Sequence, residues 1–382
     1  MNTRIRIAAR QAGLSMIELM IAITIGLLIL AGLATVFANS SNTQHELRRT
    51  AQQIENGRYA VDMLTQDLQL AGYWGQFRKF VTPAGLPDPC SVDTAVMADA
   101  IGLPVQGAAA PDKDTRATPP GSCGGVLTNA NLSPGSDILV VRRAHTNVVT
   151  GGTAVAGERY IQANASEVAV QVGVAGGASC TLNAANVATT IFRRCSVPAN
   201  IDVCTPCATA PAAFVRKYEV HIYFVAPCNV PAGGGSNCTG AADDNGRPIP
   251  TLKRLELNAG AFTILPIAEG VEYLRVSYGV DDNPAVVNTE TELTGDGSPD
   301  RYVHAPNIAE FGNAVTARVD LLVRNPEPSP GYADPKTYLL GVADGSTNTV
   351  GFTIAPTATQ YRRHAYSTEV RLVNLSGRKE IP

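Results

Sequence analysis

The run from Leu14 to Ala38 holds 25 residues whose only charge is Glu18, and the thirteen residues before it carry Arg4, Arg6 and Arg10 as their only charges. About 20 apolar residues rising ~1.5 Å each cover a ~30 Å hydrocarbon core, so the run is long enough to span a bilayer as one helix. The arginine-rich end then stays in the cytoplasm and everything after Ala38 crosses the membrane. A secretory signal has a shorter apolar core followed by a small-residue cleavage site. Here the small residue that stands out, Gly13, precedes the run. A cut at Gly13 discards the arginines and leaves the membrane helix on the mature protein, changing 30 basic residues to 27 against 33 acidic, a formal charge of -6.

The helix is expected to continue. Asn39 to Asn42 is polar but contains neither Pro nor Gly, and Leu47, Ala51, Ile54, Val61, Leu64, Leu68 and Ala71 recur at the period of a one-sided helix. Gly72 is placed to stop it. One unbroken helix from Leu14 to Ala71 would be roughly 87 Å long, with Gly26, Gly32 and Gly57 as flexing points. The sequence therefore divides into a leader (1–13), a transmembrane helix (14–38), an amphipathic continuation (39–72) and an extracytoplasmic β-rich domain (73–382).

In that domain Asp137 to Arg143, Val215 to Val225, Leu252 to Leu257, Val271 to Val280, Ala317 to Val323 and His364 to Val373 read as strands between turn formers. In the second of these, Arg216, Tyr218, Val220, Ile222 and Phe224 share one face, and Lys217, Glu219, His221, Tyr223 and Val225 the other. The fold class is α+β: a long N-terminal helix packed on an antiparallel β-sheet. Residues near 85–133 and 173–245 are rich in Ala, Gly, Pro and Cys without periodicity and read as loop insertions that need staples.

Eight cysteines supply them: Cys90, Cys123, Cys180, Cys195, Cys204, Cys207, Cys228 and Cys238, all on the translocated side. An even count in an oxidising compartment argues for disulfides, although eight cysteines admit about a hundred pairings. Pairing of neighbours, such as Cys228 with Cys238, is the first expectation. The spacing Cys204-Thr205-Pro206-Cys207 suits a redox motif, but it lacks the βαβ setting of one. A zinc site using this pair with Cys195 or Cys180 is disfavoured because extracytoplasmic thiols tend to be oxidised.

Composition excludes other classes. At 45% hydrophobic and 16% charged the chain should fold, and a net charge of -3 offers no basic field for nucleic acid as a direct partner. Arg362, Arg363, Arg371, Arg378 and Lys379 make the C-terminus locally positive, which suits DNA or anionic lipid, or simply a solvated strand face. Asp296, Ser298 and Asp300 have the alternate oxygen spacing that calcium takes. The comparison with an EF-hand then fails, because Arg301 stands where Gly is needed and Asn307 where Glu is needed, and a solvated turn is the default. No cofactor other than that weak calcium candidate is expected. His45, His145, His221, His304 and His364 share no metal or catalytic spacing, and no nucleophile, zinc-protease or phosphate-loop motif is present in the sequence. Nothing in it argues for an enzyme.

Gly13-Leu14-Ser15-Met16-Ile17-Glu18-Leu19 resembles the class III signal of type IV pilins and pseudopilins, with Leu14 where the family usually has Phe. The resemblance implies that a prepilin peptidase cuts after Gly13 and that Leu14 becomes the N-methylated first residue. It also implies that Glu18, fifth in the mature chain, pairs with the N-terminal amine of a neighbouring subunit, which resolves the cost of an ionisable group in a spanning helix. The run from Glu55-Asn56-Gly57-Arg58-Tyr59-Ala60 through Asp67-Leu68 to Ala71-Gly72-Tyr73-Trp74-Gly75 resembles PilW-type minor pilins. So do Gly135-Ser136-Asp137-Ile138-Leu139-Val140-Val141-Arg142, the two stretches Glu269 to Glu272 and Tyr278 to Asp281, the segment Ala317 to Arg324, and Arg362 through Val370.

That resemblance implies a minor pilin that helps initiate or cap a type IV pilus and so supports twitching motility, adhesion or DNA uptake. Implied partners are other minor pilins, the major pilin, the prepilin peptidase and the inner-membrane assembly platform. The implied location is the inner membrane with a periplasmic domain, then the pilus, at its tip. The alternatives are a type II secretion pseudopilin and a tip adhesin whose cysteine-rich loops bind a surface ligand.

Overall fold

The computed structural model describes residues 15–149, 155–164, 167–173, 214–282, 295–341 and 352–379. Gly13, Leu14, Cys180, Cys195, Cys204 and Cys207 lie outside them. The chain divides into two units, residues 1–51 and 52–382, and helix α1 (Met16–Leu70) contributes to both.

In the first unit α1 is long and apolar enough to cross a membrane, and its large apolar side chains from Met16 to Phe37 are exposed. Leu47, expected on a packed stripe, is also exposed, at 64%.

In the second unit the buried side of α1 is Gln53, Gly57, Ala60, Leu64, Asp67 and Leu68, spaced at three, four and one as a single helix face requires. Ile54, which the apolar count places on the stripe, is 40% exposed. The packed face thus opens with an amide and a glycine and contains a carboxylate, so counting apolar residues alone selects the wrong start. Gln53 donates from Nε2 to the carbonyls of Val323 (2.7 Å) and Arg362 (3.1 Å). Gly57 is a close-approach site rather than a flexing point: a Cβ there would overlap the ring of Tyr366.

Gly72 ends the helix with φ +72°, a conformation glycine adopts without steric cost. The last carbonyls of a helix have no partner within it, and here the C-terminal helix α5 (Val373–Lys379) supplies donors. Asn374 Nδ2 donates to the carbonyls of Gln69 (3.3 Å) and Ala71 (3.1 Å), and Arg378 Nη2 to that of Gly72 (3.3 Å).

The six expected strands all form, but in two sheets rather than one. Strands β1 (Val105–Ala108), β2 (Ile138–Val148), β3 (Arg159–Ala163), β4 (Val168–Val172), β5 (Val215–Ala226), β6 (Thr251–Asn258) and β7 (Ala261–Glu269) build the larger. Its order is β1-β2-β5-β3-β4, with β6 beside β5 and β7 beside β6. Strands β8 (Val271–Val280), β9 (Arg301–Val303), β10 (Ala314–Arg324) and β13 (Arg363–Arg371) form the smaller, in the order β13-β10-β8-β9, while β11 (Tyr338–Leu340) pairs with β12 (Phe352–Ile354). All pairs are antiparallel. The strands that pattern reading misses are short or, like β7, contain a proline; Pro266 lies in a strand paired on one side only, where a missing N–H is tolerated.

The two sheets meet where β2 begins. Asp137 N–H donates to the Leu274 carbonyl (2.9 Å), Asp137 Oδ2 accepts from Val276 N–H (2.8 Å), and Asp137 Oδ1 accepts from Ala110 N–H (2.8 Å). A side chain thus replaces a rung of the ladder, which is why the sheets join without merging.

Each face of the larger sheet has its own core. Tyr223 and Val225 face α1, packing with Ala60, Leu64, Leu68 and with Leu274, Val276, Val319 and Leu321 of the smaller sheet. Tyr218, Val220, Ile222 and Phe224 face the other way, onto Trp74, Met97, Ile101 and Leu127. The split follows the alternation of β5. Residues near 85–133 are therefore a covering layer for the far face rather than a loop hung between strands. Its anchor is Trp74, 1% exposed, stacked on Tyr218 at 5.2 Å between centroids and donating from Nε1 to the Ile101 carbonyl.

Candidate functional site: the long helix and its seat

Two parts of α1 carry polar groups where the pattern calls for apolar ones. In the first unit, Glu18 lies in the first turn and its Oε2 accepts the backbone N–H of Ser15 at 3.0 Å. A carboxylate at a helix N-terminus satisfies an unpaired donor there and complements the helix dipole.

In the second unit, Asp67 is the seat of the helix on the sheet. It is 4% exposed, and its Oδ1 accepts from Arg143 Nε of β2 at 2.7 Å. Its Oδ2 takes Tyr223 OH of β5 at 2.9 Å and lies 2.6 Å from His221 Nδ1. Arg143 pairs onward with Glu219 at 2.6 Å. Burial pushes the Asp67 carboxyl up, but the neighbouring His221 and Arg143 outweigh it and hold its pKa down at about 2. Tyr223 is pushed the other way, well above the ordinary phenol, by burial and then by the Asp67 charge. A buried carboxylate with three partners is costly to break and fixes the register of α1 on the sheet.

The next residue along β2 mirrors this on the far face. Arg142 is 1% exposed and donates to the Leu103 carbonyl (2.9 Å), to Gln106 Oε1 (2.8 Å) and to the Pro87 carbonyl (3.4 Å). Adjacent arginines on a strand point to opposite faces. One fastens the helix and the other fastens the covering layer.

The structure joins Cys90 to Cys123 and Cys228 to Cys238. The two stapled regions are knit together: Asn131 donates from Nδ2 to Asn237 Oδ1 (2.8 Å) and accepts at Oδ1 from Cys238 N–H (3.0 Å). Among the described residues, Cys228, Cys238 and Asp243 converge closely enough to suggest a metal. Two are consumed by the disulfide. Asp243 accepts from the N–H groups of Ala232, Thr239 and Gly240 at 2.7 to 2.8 Å. Its burial is outweighed by those bonds, leaving its pKa at about 2. The donor set fits a loop brace, not an ion.

Asp296, Ser298 and Asp300 are exposed. Asp296 Oδ1 accepts from Ser298 N–H (2.8 Å) and Asp300 Oδ2 from Asp282 N–H (2.8 Å), so the carboxylates hold turns.

The locally positive C-terminus is not a free patch. Arg363 is 8% exposed and pairs with Glu272 at 2.6 Å and with Asp334 at 3.4 Å. Arg362 covers the Tyr332 ring at 4.3 Å and Arg378 the Phe80 ring at 3.5 Å. Lys379 is 2% exposed. Charge counting along the sequence cannot register acidic partners that come from distant strands.

Sequence reasoning passed over Asp67, Arg142, Arg143 and Asn374 as site residues. A signal existed for Asp67 alone: a carboxylate three residues after Leu64 and next to Leu68, on the face that must pack.

Residues 238–374 match the family model described as Type IV Pilus-assembly protein W, and residues 8–34 match the prokaryotic N-terminal methylation motif. Comparison with curated proteins gives no match. Among solved structures, a type IV-like pilin from Thermus thermophilus is 16% identical over 41% of this chain and 79% of its own, with a TM-score of 0.16; a score that low carries no argument. The chain is thus PilW-like over residues 238–374 and carries an N-terminal methylation motif that runs into a helix long and apolar enough to cross a membrane.

Proposed function

We propose that this PilW-like chain is a minor pilin of a type IV pilus, a structural subunit that helps initiate or cap the filament and thereby supports twitching motility, adhesion or DNA uptake. The observation that carries this is the union, in one chain, of a methylation-motif leader and exposed apolar helix with a C-terminal third that matches the pilus-assembly family. In this proposal a prepilin peptidase cuts after Gly13 and Leu14 is methylated. The chain waits in the inner membrane with its body in the periplasm, and the assembly platform passes it into the pilus, at the tip. Glu18, withdrawn from lipid, pairs with the amine of a neighbouring subunit, and other minor pilins and the major pilin are its partners.

The test is to look for the mature chain in sheared pili of the native host. Wild type should appear there with Leu14 as its methylated first residue, while Glu18→Ala should be inserted and processed yet missing. Loss of protein secretion with intact pili on deletion would indicate a secretion pseudopilin instead. Normal pili with poor attachment would indicate an adhesin.

A further inference from the structure

Three side chains that the assembly role does not use meet at the base of the C-terminal helix. Lys379, in the last turn of α5, donates from Nζ to Asn313 Oδ1 at 2.9 Å. Its Nζ also lies 3.7 Å from Asp281 Oδ2. Lys379 and Asp281 are each 2% exposed. Asn313 is the C-cap of α4 (Ile308–Gly312), directly before β10, and its carbonyl accepts the N–H of Asp281, so lysine, amide and carboxylate sit on three different elements held in fixed register.

A surface lysine would be solvated and mobile here, and its ammonium would satisfy itself with water. This one is enclosed, and burial lowers its pKa despite the charges of Asp281, Asp282 and Asp300, which raise it. The enclosed amine is held 2.9 Å from the carboxamide oxygen of Asn313, and holding an amine against one carboxamide supplies part of the orientation that amide exchange needs. Asp281 Oδ2, which accepts the N–H of Gly297 at 2.9 Å and lies 3.7 Å from Nζ, is the carboxylate placed to carry the proton transfers once it closes on the amine by about half an ångström or through one water.

We propose that Lys379 and Asn313 are a modification site at which an intramolecular isopeptide bond forms, with Asp281 as the proton shuttle. Asp281 takes a proton from the Lys379 ammonium, and the neutral Nζ attacks Asn313 Cγ. The tetrahedral adduct loses its second amine proton to Asp281 as the original amide nitrogen is protonated. The Cγ–Nδ2 bond breaks, Nζ–Cγ remains as a secondary amide, and ammonia leaves with the last proton as ammonium. The balance is one lysine ammonium plus one primary amide giving one secondary amide plus one ammonium ion. No oxidant or co-reactant is consumed.

The consequence follows from where α5 sits. Asn374 and Arg378 of the same helix hold the final carbonyls of α1, so a covalent tie at Lys379 fixes the helix that caps α1 to the body of the domain. In a filament subunit under tension that tie resists peeling from the C-terminal end.

The test is the intact mass of the mature protein purified from its host and fully reduced, followed by peptide mapping. Expected is a chain lighter by about 17 Da, the mass of one ammonia, than the mass calculated for the processed and N-methylated sequence, together with a branched peptide joining the segments that contain Asn313 and Lys379. Asn313→Ala and Lys379→Met should each restore full mass. Asp281→Asn should restore it as well, with circular dichroism confirming that the variant is folded. A wild-type chain of full mass with no branched peptide overturns the proposal and leaves a buried ion pair alone, whether or not the variants fold.

Discussion

Asp67 joins elements that nothing local holds together: one carboxylate of α1 takes Arg143 from β2 and His221 and Tyr223 from β5. Removing one member of a buried charged network strands the others, at about 3 to 5 kcal/mol, so Asp67→Ala should lower the urea midpoint of the domain by that equivalent. The pH dependence has a definite sign. The Asp67 pKa is held at about 2 in the folded chain, below its ordinary value of 3.8, so its contribution is complete above about pH 4 and is lost as pH falls through 2, roughly 2 to 3 kcal/mol in all. The stability gap between wild type and Asp67→Asn should therefore shrink as the pH of the urea titration is lowered from 5 toward 2, and a gap independent of pH would contradict the network. Gly57 is the second decisive residue. Because a Cβ would enter the Tyr366 ring, Gly57→Ala should destabilise by about 1 to 3 kcal/mol despite the better helix propensity of alanine. Restoring stability with Tyr366→Leu in the same chain would identify the clash as the cause.

Among the elements, α1 and β5 were readable and the covering layer was not. The strand at Val215 to Ala226 alternates so cleanly that its two faces can be assigned from sequence, and Tyr218, Val220, Ile222 and Phe224 do share one core while Tyr223 and Val225 share another. That both faces would be covered was not legible. Residues near 85–133 bury Met97, Ile101 and Leu127 through a short helix, 3-10 turns and loops, which have no period to detect. The staples make such a layer sustainable. Closing the ten-residue separation of Cys228 and Cys238 contributes about 2 to 4 kcal/mol in the chain-entropy picture. A Cys228→Ser and Cys238→Ser double variant should lose that much thermal stability, and protease should nick it first within 229–246. The α5 cap gives a further expectation: Asn374→Ala leaves the carbonyls of Gln69, in the last turn of α1, and Ala71, just after it, without this donor, and hydrogen exchange should quicken in the last turn of α1 while the sheets keep their protection.

At the scale of the whole molecule, the assignment of a pilus subunit rests on the first unit and the C-terminal third together, and each can be tested separately. Glu18→Ala should leave the thermal stability of the sheet domain unchanged while removing the chain from pili, whereas Asp67→Ala should lower both. A matched fall in both for Glu18→Ala would mean that the glutamate acts through folding. The sequence by itself determined the anchor, the helix and the central strands, because lipid length, helical period and strand alternation are local properties written in consecutive residues. It also carried the family likeness, since motifs are local too. Only the tertiary structure decided that the expected strands divide between two sheets, that the packed face of α1 starts with Gln53 and Gly57, and that Arg363 and Lys379 are buried while Arg378 lies over the Phe80 ring. Those outcomes depend on charges, carbonyls and rings meeting across separations of up to about three hundred residues, as Gln53 meets Arg362. Burial of a polar group is set by which partner arrives, and no stretch of consecutive residues contains that information.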